Sequence, residues 1–190
     1  MSIALIVSLA LLGALVLYGT LIYNNLVSLK HAVTKAWSNI DVLLKQRHDE
    51  LPKLVETCRQ YMKFEQETLE RVIQARSQVQ SAREAHNVQG LGQAEGALRL
   101  GLGNLFALAE DYPELKANET FQHLQVRISG LENAIADRRE FYNEAVNANN
   151  VRVEQFPDLL IANNFGFKTA ELLEFSEAEK ADVDMKALFT

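Results

Sequence analysis

The sequence predicts an all-α protein, an N-terminal transmembrane helix continuing into a long antiparallel four-helix bundle. Three observations carry that prediction. Residues 3–23, IALIVSLALLGALVLYGTLIY, contain no charge. Beyond them apolar residues recur at helical spacing, and no stretch alternates apolar and polar residues as a half-buried strand would. Glycines and prolines gather at a few places, Pro52, Gly90 to Gly92, Pro113 and Pro157 to Gly166, and so divide the soluble part into four segments.

The first stretch has the length of a membrane span. About twenty residues at ~1.5 Å each cross a ~30 Å hydrocarbon core. A cleaved signal peptide would need a basic leader and a small-x-small cleavage site, whereas only Met1 and Ser2 precede the apolar run. Tyr18 to Asn25 form an aromatic and polar exit suited to the headgroup level. Gly13 and Gly19 lack the spacing of a GxxxG pairing motif. No basic residue precedes the span, while Lys30, Lys35, Lys45, Arg47 and Lys53 follow it. Basic flanks stay cytoplasmic, so the N-terminus is expected outside and the bundle in the cytoplasm.

After the span, Leu26, Leu29, Val33, Ala36, Trp37, Ile40, Leu43 and Leu44 share a face, and the membrane helix should run on through them. Pro52 is read as the start of a second helix reaching about Ala85, with a polar later half. The third helix carries Leu91, Leu98, Leu105 and Tyr112 seven residues apart, a coiled-coil-like seam. Its Gly96, Gly101 and Gly103 suit a close helix approach. The fourth runs from a cap at Asn118 to about Glu154, and FPDLLIANNFGFK after it is too apolar to hang free. The expected division is 1–24 anchor, 25–168 bundle and 169–190 acidic tail.

Composition narrows the function classes. The 190-residue chain carries a net charge of −6, the wrong sign for a nucleic-acid binder. Six acids between Glu171 and Lys186 against two lysines read as a solvated tail. The single cysteine, Cys58, lies on an apolar stripe with Leu51, Leu54, Val55 and Met62 and reads as a small core residue.

The densest run of ionisable groups is AWSNIDVLLKQRHDELP, residues 36–52. On a helix, Trp37, Asp41, Lys45 and His48 share a side, and Asp41 precedes Lys45 in the stabilising order. Lys45, Arg47 and His48 then fall in closing turns, where cations offset the helix dipole, and Asp49, Glu50 and Pro52 open the next helix. A catalytic reading would centre on Asp41, His48 and Asp49. Yet His48, Asp49 and Glu50 lack HExxH spacing, no Glu-x-x-His occurs, and the Gly-rich LGQAEGALRLGLG follows no strand. Neither an enzyme, a cofactor nor a metal is expected. Phe165, Gly166, Phe167 and Lys168 are a better candidate, either docked on the bundle or exposed as a knob, with docking favoured because exposed rings promote aggregation. The interaction residues expected are therefore Trp37, Asp41, Arg47, His48, Phe165, Gly166, Phe167 and Lys168.

Taken with the span, four stretches, YNNLVSLKHAVTKAWSNIDVLLKQRHDELPKLVETCRQY, ALAEDYPELKANETFQHLQ, RREFYNEAVNANN and FPDLLIANNFGFK, closely resemble the LemA family of bacterial membrane proteins. The resemblance covers nearly the whole chain. It implies a membrane-anchored, N-out helical bundle and brings no established activity, substrate or cofactor. The acidic residues after FGFK depart from the basic, proline-containing tail that often follows in the family. The expected function is a membrane scaffold, with the bilayer, further copies of the chain and a membrane-protein partner as its contacts, and no nucleic acid. The alternative is a sensor or adaptor that binds a peptide, lipid or protease at the membrane.

Overall fold

Helical periodicity becomes six helices in the computed structural model, which describes residues 2–174: α1 (Ile3–Tyr61), α2 (Gln66–Glu84), α3 (Val88–Ala109), α4 (Pro113–Lys116), α5 (Glu119–Glu154) and α6 (Asp158–Phe165). No strand occurs among the described residues. The described residues divide into two compact units: one holds α1 up to Asn39 with Glu140–Leu172, the other Ile40–Arg139 with Leu173 and Glu174.

In the second unit four helices surround an apolar core. Ile40, Leu44, Leu51, Leu54 and Cys58 of α1 are buried with Leu69, Val72 and Val79 of α2. Leu91, Leu98, Leu102 and Leu105 of α3 and Phe121, Ile128 and Ile135 of α5 complete it. The heptad reading of α3 holds through Leu105. Tyr112, its next member, has left the helix to precede Pro113 at the start of α4. Asn118 caps α5 as expected, its Oδ1 accepting the Phe121 amide at 3.0 Å, and Asn87 caps α3 through the Gly90 amide at 2.8 Å.

Pro52 does not begin a helix; α1 continues through it to Tyr61, and the break comes at Met62 to Glu65. A proline inside a helix leaves the carbonyl four residues earlier without its amide donor. Here that carbonyl belongs to His48, and Arg76 Nε of α2 donates to it at 3.0 Å. The neighbouring helix supplies the missing donor, and the helix survives. The segment 36–52 is thus mid-helix, and Lys45, Arg47 and His48 lie well before the closing turn that would give them a dipole role.

Of the α3 glycines, Gly101 faces a neighbour, since a Cβ there would stand 3.5 Å from Val72 Cγ2, whereas Gly103 faces open space. The closest approach is at Gly92, where a Cβ would come within 1.9 Å of the Glu174 carbonyl oxygen.

In the first unit, α5 runs against α1, turns through a cis Phe156–Pro157 bond, and α6 returns along α1. Ile22, Leu26, Val153 and Ala162 form its core, with Ile161 and Phe167 packed on it. Gly166 ends α6 at φ 72°, the left-handed C-cap that glycine adopts without penalty. Residues 168–171 then lie extended along α5. Asn149 Nδ2 donates to the Lys168 carbonyl at 3.2 Å. Asn150 pairs with Ala170 in both directions, at 2.9 and 2.8 Å, and the Tyr142 hydroxyl donates to the Glu171 carbonyl at 2.9 Å. The start of the acidic segment is therefore bound to the fold, with Leu173 buried. Most of that segment, from residue 175 on, lies outside the described residues.

The beginning of α1 is the one helix among the described residues that is long and apolar enough to cross a membrane. Only 6% of its apolar window is buried, so these side chains do not form a protein core.

Candidate functional site

Residues 36–52 sit on α1, and their charged side chains reach across to other helices. Asp41 Oδ1 accepts Arg83 Nε, and its Oδ2 accepts Arg83 Nη2 at 3.0 Å, a two-point fork onto α2. That hydrogen bond holds the Asp41 carboxyl below its ordinary 3.8. Seven residues on along α1 and seven back along α2, His48 meets Arg76, the register of an antiparallel pair. Arg76 Nη2 lies 2.6 Å from His48 Nε2. Burial, and then the Arg76 charge, push the imidazole below its ordinary 6.5. A neutral ring with Nε2 as acceptor satisfies that contact. Glu50 accepts from Arg127 of α5 at 3.0 Å and from Lys53 at 3.2 Å.

Arg47 is the deepest of these groups. Its guanidinium is 1% exposed in the core and donates to Glu95 of α3 through Nη2 and to Glu132 of α5 through Nη1. Burial alone would weaken the Arg47 charge; the two carboxylates outweigh it and raise the group above its ordinary value. Burial pushes Glu95 above its ordinary 4.5, although Arg47 and, more weakly, Arg139 draw it down. Three helices are joined at one point. Removing a partner from such a cluster leaves an uncompensated charge in the core, a loss of about 3–5 kcal/mol.

The sequence placed Arg47 in a closing turn and left Glu95 unremarked. Both lie on apolar stripes: Ile40, Leu44, Arg47, Leu51 and Leu54 on α1, and Leu91, Glu95, Leu98 and Leu102 on α3. An isolated charge of each sign on facing apolar seams is the signal that would have found the pair. Trp37 belongs to the other unit, its ring 5.5 Å from that of Tyr142 on α5.

The second cluster lies where the apolar run of α1 ends. Tyr23 packs edge-on against Phe165 at 5.0 Å and Phe167 at 5.6 Å. Gly166 supplies the turn that brings both rings to one tyrosine; Phe167 packs on the core of this unit, while Phe165 touches Tyr23 with an edge and stays 59% exposed. Lys168 is exposed, and its backbone carbonyl takes the Asn149 bond. Of the expected interaction residues, Asp41, Arg47 and His48 fall in one unit, and Trp37 and Phe165 to Lys168 fall in the other, where Trp37 meets Tyr142 and the two phenylalanines meet Tyr23.

Cys58 is buried with its thiol pushed up to about 12, unsuited to thiolate chemistry at neutral pH. No group of three His, Cys, Asp or Glu that could hold a metal occurs among the described residues. What the charged groups do chemically is fasten helices.

Comparison with known proteins follows the same outline. A sequence model of the LemA family matches residues 36–186. Magnetosome proteins MamQ 1 and MamQ 2 of Paramagnetospirillum magneticum are each 26% identical over 190 residues, 88% of this chain and 70% of theirs. Protein LemA of Metamycoplasma hominis is 27% identical over 167 residues, 87% of this chain and 74% of its own.

Proposed function

Because the chain belongs to the LemA family, we propose that it is a single-pass, membrane-anchored scaffold that self-assembles and organises or remodels the membrane or a membrane-protein complex. One observation carries this reading. A single helix, α1, bears the exposed apolar stretch at its start and supplies core side chains to both compact units. Anchor and folded body are one covalent element, which suits a protein whose work is to hold a surface at the bilayer. Four charged or polar groups of 36–52 support a non-enzymatic reading, because Asp41, Arg47, His48 and Glu50 tie α1 to α2, α3 or α5. The description of the MamQ relatives as magnetosome proteins fits a part in a larger cellular assembly.

The bundle belongs in the cytoplasm beneath the inner membrane, with Lys30 and Lys35 on the cytoplasmic side of the span. Crosslinking in native membranes tests self-assembly. The native Cys58 is buried, so Leu15→Cys on the exposed apolar face reports contacts between copies. Disulfide-linked pairs at low expression support assembly; their absence, with the variant inserted and folded, refutes a contact through this helix.

A second reading, an adaptor for a protein partner, has one observation in its favour. Phe64 in the α1–α2 turn is 93% exposed, beside a surface hollow lined by Arg59, Met62, Lys63 and Leu69. Phe64→Ser should then abolish capture of a partner from detergent extracts while leaving self-assembly unchanged.

A further inference from the structure

The α5–α6 turn and α6 sit beside the end of the apolar run, and their exposed surface carries Phe156, Leu160 and Phe165 together with the polar Glu154, Asn163 and Asn164. A Cβ at Gly19 would stand 3.9 Å from Ile161 Cδ1, and Phe165 packs on Tyr23. Four residues on along α6 correspond to four on along α1, so α6 runs in the direction of α1. Its beginning therefore lies toward the middle of the span. A hydrocarbon core of ~30 Å, counted from Ile3 at ~1.5 Å per residue, ends close to Ile22 and Tyr23. Ile161 and everything before it in α6 consequently lie level with the last turns of that core.

The exposed side chains here suit that depth. Phe156 is 78% exposed in the turn, Leu160 60% on α6 and Phe165 59% at its end. In water these rings and the leucine would gain nothing. At the boundary of headgroups and acyl chains, each moves its apolar body out of water, and aromatic rings favour that layer. The one acid of α6 is kept from the lipid. Asp158 is buried and paired with Arg152 at 2.9 Å, and Arg152 also donates to Asn25 Oδ1 at 3.2 Å. That pairing removes a charge which anionic headgroups would repel.

We infer that the α5–α6 turn and α6, through Phe156, Leu160 and Phe165, form a second membrane contact that reaches through the headgroup layer to the outermost turns of the hydrocarbon core beside the span. The partner is the lipid surface itself. The inference rests on α1 spanning the bilayer, so its test reports the two separately.

The full-length protein is reconstituted into phosphatidylethanolamine and phosphatidylglycerol vesicles containing lipid with a nitroxide near the headgroup. Trp37 is the sole tryptophan and lies about 20 Å along α1 from Tyr23; in the unaltered protein it serves as the unquenched reference. In a Trp37→Phe background, Tyr18→Trp reports the span, and Phe156→Trp and Leu160→Trp report the turn and α6. The expected result is that F156W and L160W emission shifts to the blue and is quenched several-fold more than that of Trp37, approaching Y18W. If Y18W is quenched while F156W and L160W behave as Trp37 does, the inference falls and the span stands. If Y18W is not quenched either, both fall. A blue shift without lipid quenching, reversed by diluting protein in lipid, assigns the surface to a second copy and overturns the inference. Two reporter positions guard against one substitution that fails to fold, and helicity by circular dichroism identifies it.

Discussion

Arg76 and Pro52 are the residue pair on which the continuity of α1 depends. Arg76→Ala withdraws the donor from the His48 carbonyl, and a buried acceptor left unsatisfied costs about 1–3 kcal/mol. Pro52→Ala restores the amide that the carbonyl lacks. Arg76→Ala should therefore destabilise less when combined with Pro52→Ala than alone, a coupling that a double-mutant cycle in urea measures directly. Equal effects in both backgrounds would show that Arg76 serves some other contact. Arg47→Ala should cost about 3–5 kcal/mol by stranding Glu95, and Glu95→Gln in the same chain should recover part of the loss. His48 sets a pH dependence. Its folded pKa lies below 6.5, so below that pH the unfolded chain binds the proton more tightly and stability falls as pH drops. His48→Gln should flatten the fall between pH 7 and about pH 5. Asp41 has a depressed pKa, so its stabilisation is lost only below 3.8 and leaves that window undisturbed.

The elements differ in how far sequence periodicity reveals them. The seam of α3 and the Asn118 cap were legible because each depends on spacing within one helix. Pro52 was misread because the rescue of its freed carbonyl comes from Arg76, twenty-four residues on and in another helix. The extended stretch 168–171 was missed for the same reason: its partners, Asn149, Asn150 and Tyr142, lie in the earlier stretch FYNEAVNANN, and no local pattern joins them. Of the candidate site, the apolarity of Phe165 and Phe167 drew attention to both rings, but the tyrosine that both touch could not be read from the sequence. The glycines of α3 separate two kinds of position. Gly103→Ala, in open space within a helix, should raise stability by up to ~1 kcal/mol. Gly92→Ala collides with the Glu174 backbone and should free the segment around it, seen as new protease cleavage between residues 168 and 174 without loss of helicity. Unchanged cleavage would mean that the contact does not hold the segment.

At the scale of the molecule, α1 joins an apolar stretch with exposed side chains to a helical core fastened by Arg47, Glu95 and Glu132. Such a stretch does not persist in water. On the function proposed above, the bilayer covers it along its length and neighbouring copies meet within the membrane. The proposed scaffold role stands or falls with the assembly that it requires. The most direct measurement is sedimentation of the full-length protein, extracted from membranes in mild detergent, over a wide range of protein concentration. Self-assembly predicts a discrete species larger than one chain that persists on dilution and is lost when exposed apolar positions of the span are altered. A single chain at every concentration would contradict it.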